Sequence, residues 1–144
     1  MAAIVEAINV VKTALEAAGL SVHVNRDESN PIQIGEMPCI NLFWGGAEVS
    51  KDYSCDAYQW NGQVILDCWA QIETGVPVLN GCDALVAQVA AVFGDDYTFG
   101  GKFIQATITA VGGLETMQEG SGSIGVTSSL EYQTTVSDWS TISS

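Results

Sequence analysis

Basic residues are almost missing from this chain. Lys12, Arg26, Lys51 and Lys102 stand against 17 acids, for a formal net charge of −13. Binding to DNA or RNA relies on Lys and Arg displacing counterions from phosphates, so this scarcity excludes a nucleic-acid-gripping surface. It leaves open a place beside DNA, because an acidic wall lets a polyanion pass without adhering. The single histidine, His23, sits between Val22 and Val24 on the alternate face of an expected strand. With no nucleophile or orienting carboxylate in a recognisable pattern, it supports no Ser-His-Asp or Cys-His reading and is expected at a surface or interface. Cys39, Cys55, Cys68 and Cys82 include no close pair of the kind that holds zinc, so no metal is expected. No apolar run of the roughly 18 to 20 residues needed for a membrane span is evident, and the N-terminus lacks the pattern of a secretory leader. The expectation is a protein made in a cytoplasm.

What is present points to one folded domain. Of the 144 residues 47% are hydrophobic, and a chain of this length buries about 68–70% of the surface it exposes when unfolded. Ile4, Ile8, Val11 and Leu15 step at helical spacing toward a stop at Gly19, with Glu6, Asn9, Thr13 and Glu16 on the wet side. Leu20 to Asn25 alternates as a strand. The stretch from Arg26 to Gly35 has the polar and proline content of a loop, and Cys39 to Trp44 predicts a strand ending at Gly45-Gly46.

Trp60-Asn61-Gly62-Gln63 carries the Asn-Gly signal of a two-residue hairpin turn. That turn sets Cys55 opposite Cys68, Asp56 opposite Asp67 and Tyr58 opposite Ile65. Val64, Leu66, Cys68, Ala70 and Ile72 then form the core side, and Tyr58, Trp60, Ile65 and Trp69 the other, too aromatic to be merely solvated. The Cys55–Cys68 pair lies within disulfide reach in this register, although a reducing cytoplasm keeps both as thiols. Asp56 and Asp67 offer too few oxygens for calcium.

A second helix is expected from Asn80 or Gly81 to Gly94, with Leu85, Val89 and Val92 inward and Ala87, Ala90 and Ala91 outward. A helix apolar all round is normally covered on both faces, so a neighbouring subunit is inferred over the alanines. Strands are expected at Phe103 to Val111 and Ile124 to Val136, with Gly120 to Ser123 as a flexible loop. The order α-β-β-β-β-α-β-β predicts an α+β fold, a mostly antiparallel sheet with two helices packed on it. Residues 1–138 form the domain and residues 139–144 a Ser-rich tail.

Two glycine motifs are rejected on context. Gly120-Ser121-Gly122-Ser123-Ile124-Gly125 fits G-x-G-x-x-G, but a strand follows where a dinucleotide site needs a helix N-terminus. Gly100-Gly101-Lys102-Phe103 leads from helix to strand and puts Phe103 where a phosphate loop needs Ser or Thr. No cofactor is expected.

Three segments carry a family resemblance. Glu36-Met37-Pro38-Cys39-Ile40 enters a strand after the loop, Asp95-Asp96-Tyr97-Thr98-Phe99-Gly100-Gly101 leaves the second helix, and Leu130-Glu131-Tyr132-Gln133-Thr134-Thr135 runs to Asp138 as a closing strand. In this order they resemble the tail terminator (tail completion) proteins of long-tailed bacteriophages, over nearly the whole chain. Phe99 and Trp139 depart from the family pattern.

The resemblance implies a structural virion protein at the head–tail junction, assembled in the host cytoplasm and not an enzyme. It implies a homohexameric ring that ends tail-tube polymerisation, with copies of itself, the tail tube protein and a head-side neck or connector protein as partners. DNA would pass through the lumen without specific binding. The residues expected at subunit or tube contacts are Ala87, Ala90, Ala91, Tyr58, Trp60, Trp69, Phe99 and Trp139. The alternatives are a head-completion or tail-tube subunit, or a small-molecule-binding α+β domain or thioesterase-like enzyme, which needs a pocket with converging polar groups. An acidic DNA mimic fits the charge but not the apolar second helix.

Overall fold

The computed structural model describes residues 3–27, 29–54, 57–72, 76–116, 120–135 and 138–143. Helix α1, Ala3–Ala17, buries Ala3, Ala7, Val11 and Leu15. Its inward stripe is therefore turned slightly from the expected one: Ile4 and Ile8 are half-buried beside it, because the small Ala3 and Ala7 let the helix lie close. Gly19, at φ 87°, ends the helix, and the Leu20 N–H returns to the Leu15 carbonyl at 3.1 Å.

Strand β1 (Val22–Val24) runs parallel to β2 (Cys39–Ser54). All other pairings are antiparallel, through β3 (Ala57–Gln71), β4 (Gln105–Thr116), β5 (Ser121–Thr135) and β6 (Asp138–Ser143). The sheet order is β1-β2-β3-β5-β4, with β6 also on β5. Helix α2, Val78–Asp95, lies against β3, β4 and β5, while α1 lies against β1, β2 and β6. This is the expected α+β architecture, with two helices on a mostly antiparallel sheet. At 18 residues and a mean hydropathy of 1.2, α2 is long and apolar enough to cross a membrane, contrary to the reading of the sequence; here Cys82, Leu85, Val89 and Phe93 are buried within the domain.

The Asn61-Gly62 hairpin does not form. Residues 57–71 are one strand, paired with β5 from Ala57↔Thr135 to Gln71↔Ser121 without a register shift. Gly62 does not take the positive φ that the turn requires. It serves close packing: a Cβ there would stand 2.7 Å from Trp44 Cη2 and 3.1 Å from Tyr132 Cε1. Cys68 accordingly faces Ile40 and Ile124, Asp67 faces Asn41 and Gly125, and Tyr58 faces Asp52 and Thr134. Cys55 and Asp56 lie outside the described residues, and Cys68 is a free thiol.

Other glycines misled in the same way. Gly45-Gly46 does not end β2 but falls at a register shift between Trp44 and Ala47, with Gly46 at φ 101°. Ser121, Gly122 and Ser123 are buried strand residues, not a loop. A Cβ on Gly122 would meet Val78 Cγ1 at 2.9 Å, so the small residues let α2 sit down on β5. The expected tail is strand β6, whose Ile142 is buried and donates its N–H to Glu6 Oε1 on α1 at 2.8 Å.

Candidate interaction surfaces

Among the described residues both helices lie on one face of the sheet. Even-numbered residues of β3 and β5 point to that side, and Val64, Leu66, Cys68, Ala70, Ile124, Val126, Leu130 and Tyr132 are buried there. The opposite face holds Ile65, Asp67 and Trp69, all half-buried, with Phe43 paired beside Ile65. Burial first, and Glu115 second, push the Asp67 carboxyl above its ordinary pKa. The Trp69 indole N–H is shielded from solvent and has no acceptor among the described residues.

With no turn at Gly62, strand alternation divides the aromatic set expected on one surface. Tyr58 and Trp60 share the parity of Val64 and Leu66, whereas Trp69 looks the other way. Tyr58 and Trp60 meet edge to face at 6.0 Å, and the Trp60 indole donates to Thr134 Oγ1 at 2.8 Å. Phe99, expected at a contact, is a core residue. It is 8% exposed and packs on Phe93 and Phe103 at 5.0 and 5.6 Å between ring centroids. The backbone around it is tied by Asp96, whose carboxylate accepts from the Thr98 hydroxyl at 2.7 Å and the Gly100 N–H at 2.8 Å. Trp139 lies on β6, with its side chain outside the described residues.

Ala87, Ala90 and Ala91 are exposed on the outer face of α2, with Ala84 and Leu79. Asn80, Asp83 and Gln88 are exposed beside them, and the exposed Asp95 ends the helix. Along one flank of α2 runs a groove of about 750 Å³ shared with α1. Val10, Ala14, Ala17 and Ala18 form the α1 wall, and Val92 and Phe99 the other. Glu6, Asp95, Asp96 and Lys102 stand at its rim, with Lys102 Nζ 3.3 Å from Glu6 Oε2. Sequence reasoning missed this groove. The available signal was the run of small residues Ala14, Ala17 and Ala18 beside the core stripe, which leaves space where larger side chains would have closed the two helices together.

No protein-family model matches the chain, and no curated protein matches it. Its own chemistry must carry the functional reading. Among the described residues no three His, Cys, Asp or Glu side chains gather as a metal site. Burial pushes the thiols of Cys39 and Cys68 up to about 11 and about 12, so both stay protonated and weakly nucleophilic. One polar cluster is structural: Arg26 makes a two-pronged pair with Glu36 at 2.9 and 3.0 Å, and Asn41 fastens the Arg26 backbone. His23 joins it, with Nε2 3.4 Å from Glu36 Oε2. These groups hold the long loop before β2.

Proposed function

We propose that the chain is a structural virion subunit of the tail-terminator type, which joins copies of itself in a ring, caps the tail tube and offers the opposite surface to the neck of the head. The reading rests on the three-segment resemblance and, above all, on the outer face of α2. A helix that packs Cys82, Leu85, Val89 and Phe93 inward while showing solvent Leu79, Ala84, Ala87, Ala90 and Ala91 has a second apolar face left over. Small side chains let another backbone approach closely, and a largely apolar patch of this kind, with Asn80, Asp83, Gln88 and Asp95 as its polar members, suits a protein contact. A head-to-tail contact between unlike patches closes into a ring when its rotation permits. The open sheet face, with Phe43, Ile65 and Trp69, supplies a second surface, suited to the tube or neck partner. The net charge of −13 suits a lumen through which DNA slides unbound.

Negative-stain microscopy of the purified chain and of Ala87→Glu tests this reading. Closed rings that the variant loses, while its circular dichroism is unchanged, support it. Filaments would identify a tube subunit instead, and rings indifferent to Ala87→Glu would remove α2 from the interface.

A further inference from the structure

We propose that the groove between α1 and α2 is a docking site for an amphipathic helix of another protein, one whose apolar stripe is flanked by Lys or Arg. Three features of the groove select that occupant. The first is length. The α1 wall runs from Glu6 to Ala18, which at 1.5 Å per residue is about 18 Å, or a little over three helical turns. The groove is open along this length and is not an enclosed cavity. The two helices that bound it scarcely touch each other, so a third helix would complete the layer.

The second feature is the lining. Val10, Ala14, Val92 and Phe99 are apolar, with Asn9 and Thr13 polar beside them, and the alanines make a recess into which larger aliphatic side chains fit. The third is charge. Glu6, Asp95 and Asp96 line the rim against Lys102, which Glu6 already engages. The Thr98 hydroxyl and backbone N–H groups hold the Asp96 carboxyl below its ordinary range, so it remains an anion. A second copy is the wrong occupant, because neither of its helices offers an apolar stripe flanked by Lys or Arg: α1 has Lys12 alone and α2 has no basic residue. The groove is a different surface from the outward alanines of α2, so this inference stands or falls separately from the ring.

The test uses the full chain and two synthetic helical peptides, alike in a leucine stripe but flanked by Lys in one and by Glu in the other. Binding is followed through backbone amide shifts. The Lys peptide is expected to move Val10, Ala14, Val92 and Gly100, and to bind roughly two- to fivefold more weakly to Asp95→Asn, the effect of one exposed ion pair. Ala14→Trp, which fills the recess, should lose binding. If that variant does not fold, Ala17→Trp on the exposed wall serves the same purpose. Equal binding of the Glu peptide, shifts confined to the sheet face, or no shifts at all would each overturn the proposal. So would self-association that Ala14→Trp abolishes, or a small apolar dye held in the groove that the Lys peptide fails to displace.

Discussion

Replacing Gly62 by Ala distinguishes an uninterrupted β3 from a hairpin at the same residues. The new Cβ would lie 2.7 Å from Trp44 Cη2 and 3.1 Å from Tyr132 Cε1, so a ring must move. Tyr132 is fully buried and Trp44 half-buried, which leaves Trp44 to give way. Overpacking of this kind costs about 1–3 kcal/mol. Against it stands about 0.4–1 kcal/mol gained by reducing the freedom of the unfolded chain. The net loss is about 0–2.6 kcal/mol, which at this chain length lowers Tm by up to about 10 °C. Urea denaturation followed by tryptophan fluorescence measures it, with Trp44→Leu and the double variant completing a cycle. Because Trp44→Leu removes the clashing ring, the two substitutions should couple favourably by about 1 kcal/mol or more. Additive effects, or a stabilising Gly62→Ala, would show that the Trp44 ring does not close over Gly62.

Three further outcomes follow from the polar groups. Glu36 is held down at about 2, chiefly by its hydrogen bonds from Arg26, so its contribution to stability is present above pH 4.5 and is lost as pH falls through about 2. Glu36→Gln should therefore flatten the acid limb of a stability profile, measured as urea midpoints. Asp67 shifts the other way. Its raised folded pKa means that the ionised form opposes folding, so Asp67→Asn should be the more stable at pH 7, with the gain vanishing as pH falls below 3.8. Asn41 is 2% exposed and satisfies both the N–H and the carbonyl of Arg26. Asn41→Ala should cost about 1–3 kcal/mol in equilibrium unfolding.

The parts of this fold legible in the sequence are those in which side-chain period and burial agree. Val11 and Leu15 of α1, Leu85 and Val89 of α2, and Val64, Leu66, Cys68 and Ala70 of β3 are all buried as their spacing predicts. The misread turns share one cause. A glycine between apolar residues signals either a turn, through its positive φ, or a close approach, through its missing Cβ, and local sequence does not say which. At Gly62 and Gly122 it was the approach of Trp44 and Val78 that required glycine. Once the turn at Gly62 was assumed, strand parity carried Trp60 to the wrong face. The C-terminal segment lacks any hydrophobic period, and its strand depends on β5 and on Glu6, partners remote in sequence. Phe99 was expected at a subunit or tube contact, but Phe93 and Phe103 on either side bring it into the core. Of the expected contacts, the exposed alanines of α2 could be read directly, because alanines at helical spacing opposite a core stripe are visible in one dimension.

Native mass spectrometry of the intact chain beside Ala91→Glu measures most directly whether the outer face of α2 is covered by another copy. A closed assembly of several chains for the natural sequence, and a folded single chain for the variant, is the expected result. A single chain for both, or the same assembly for both, would contradict it.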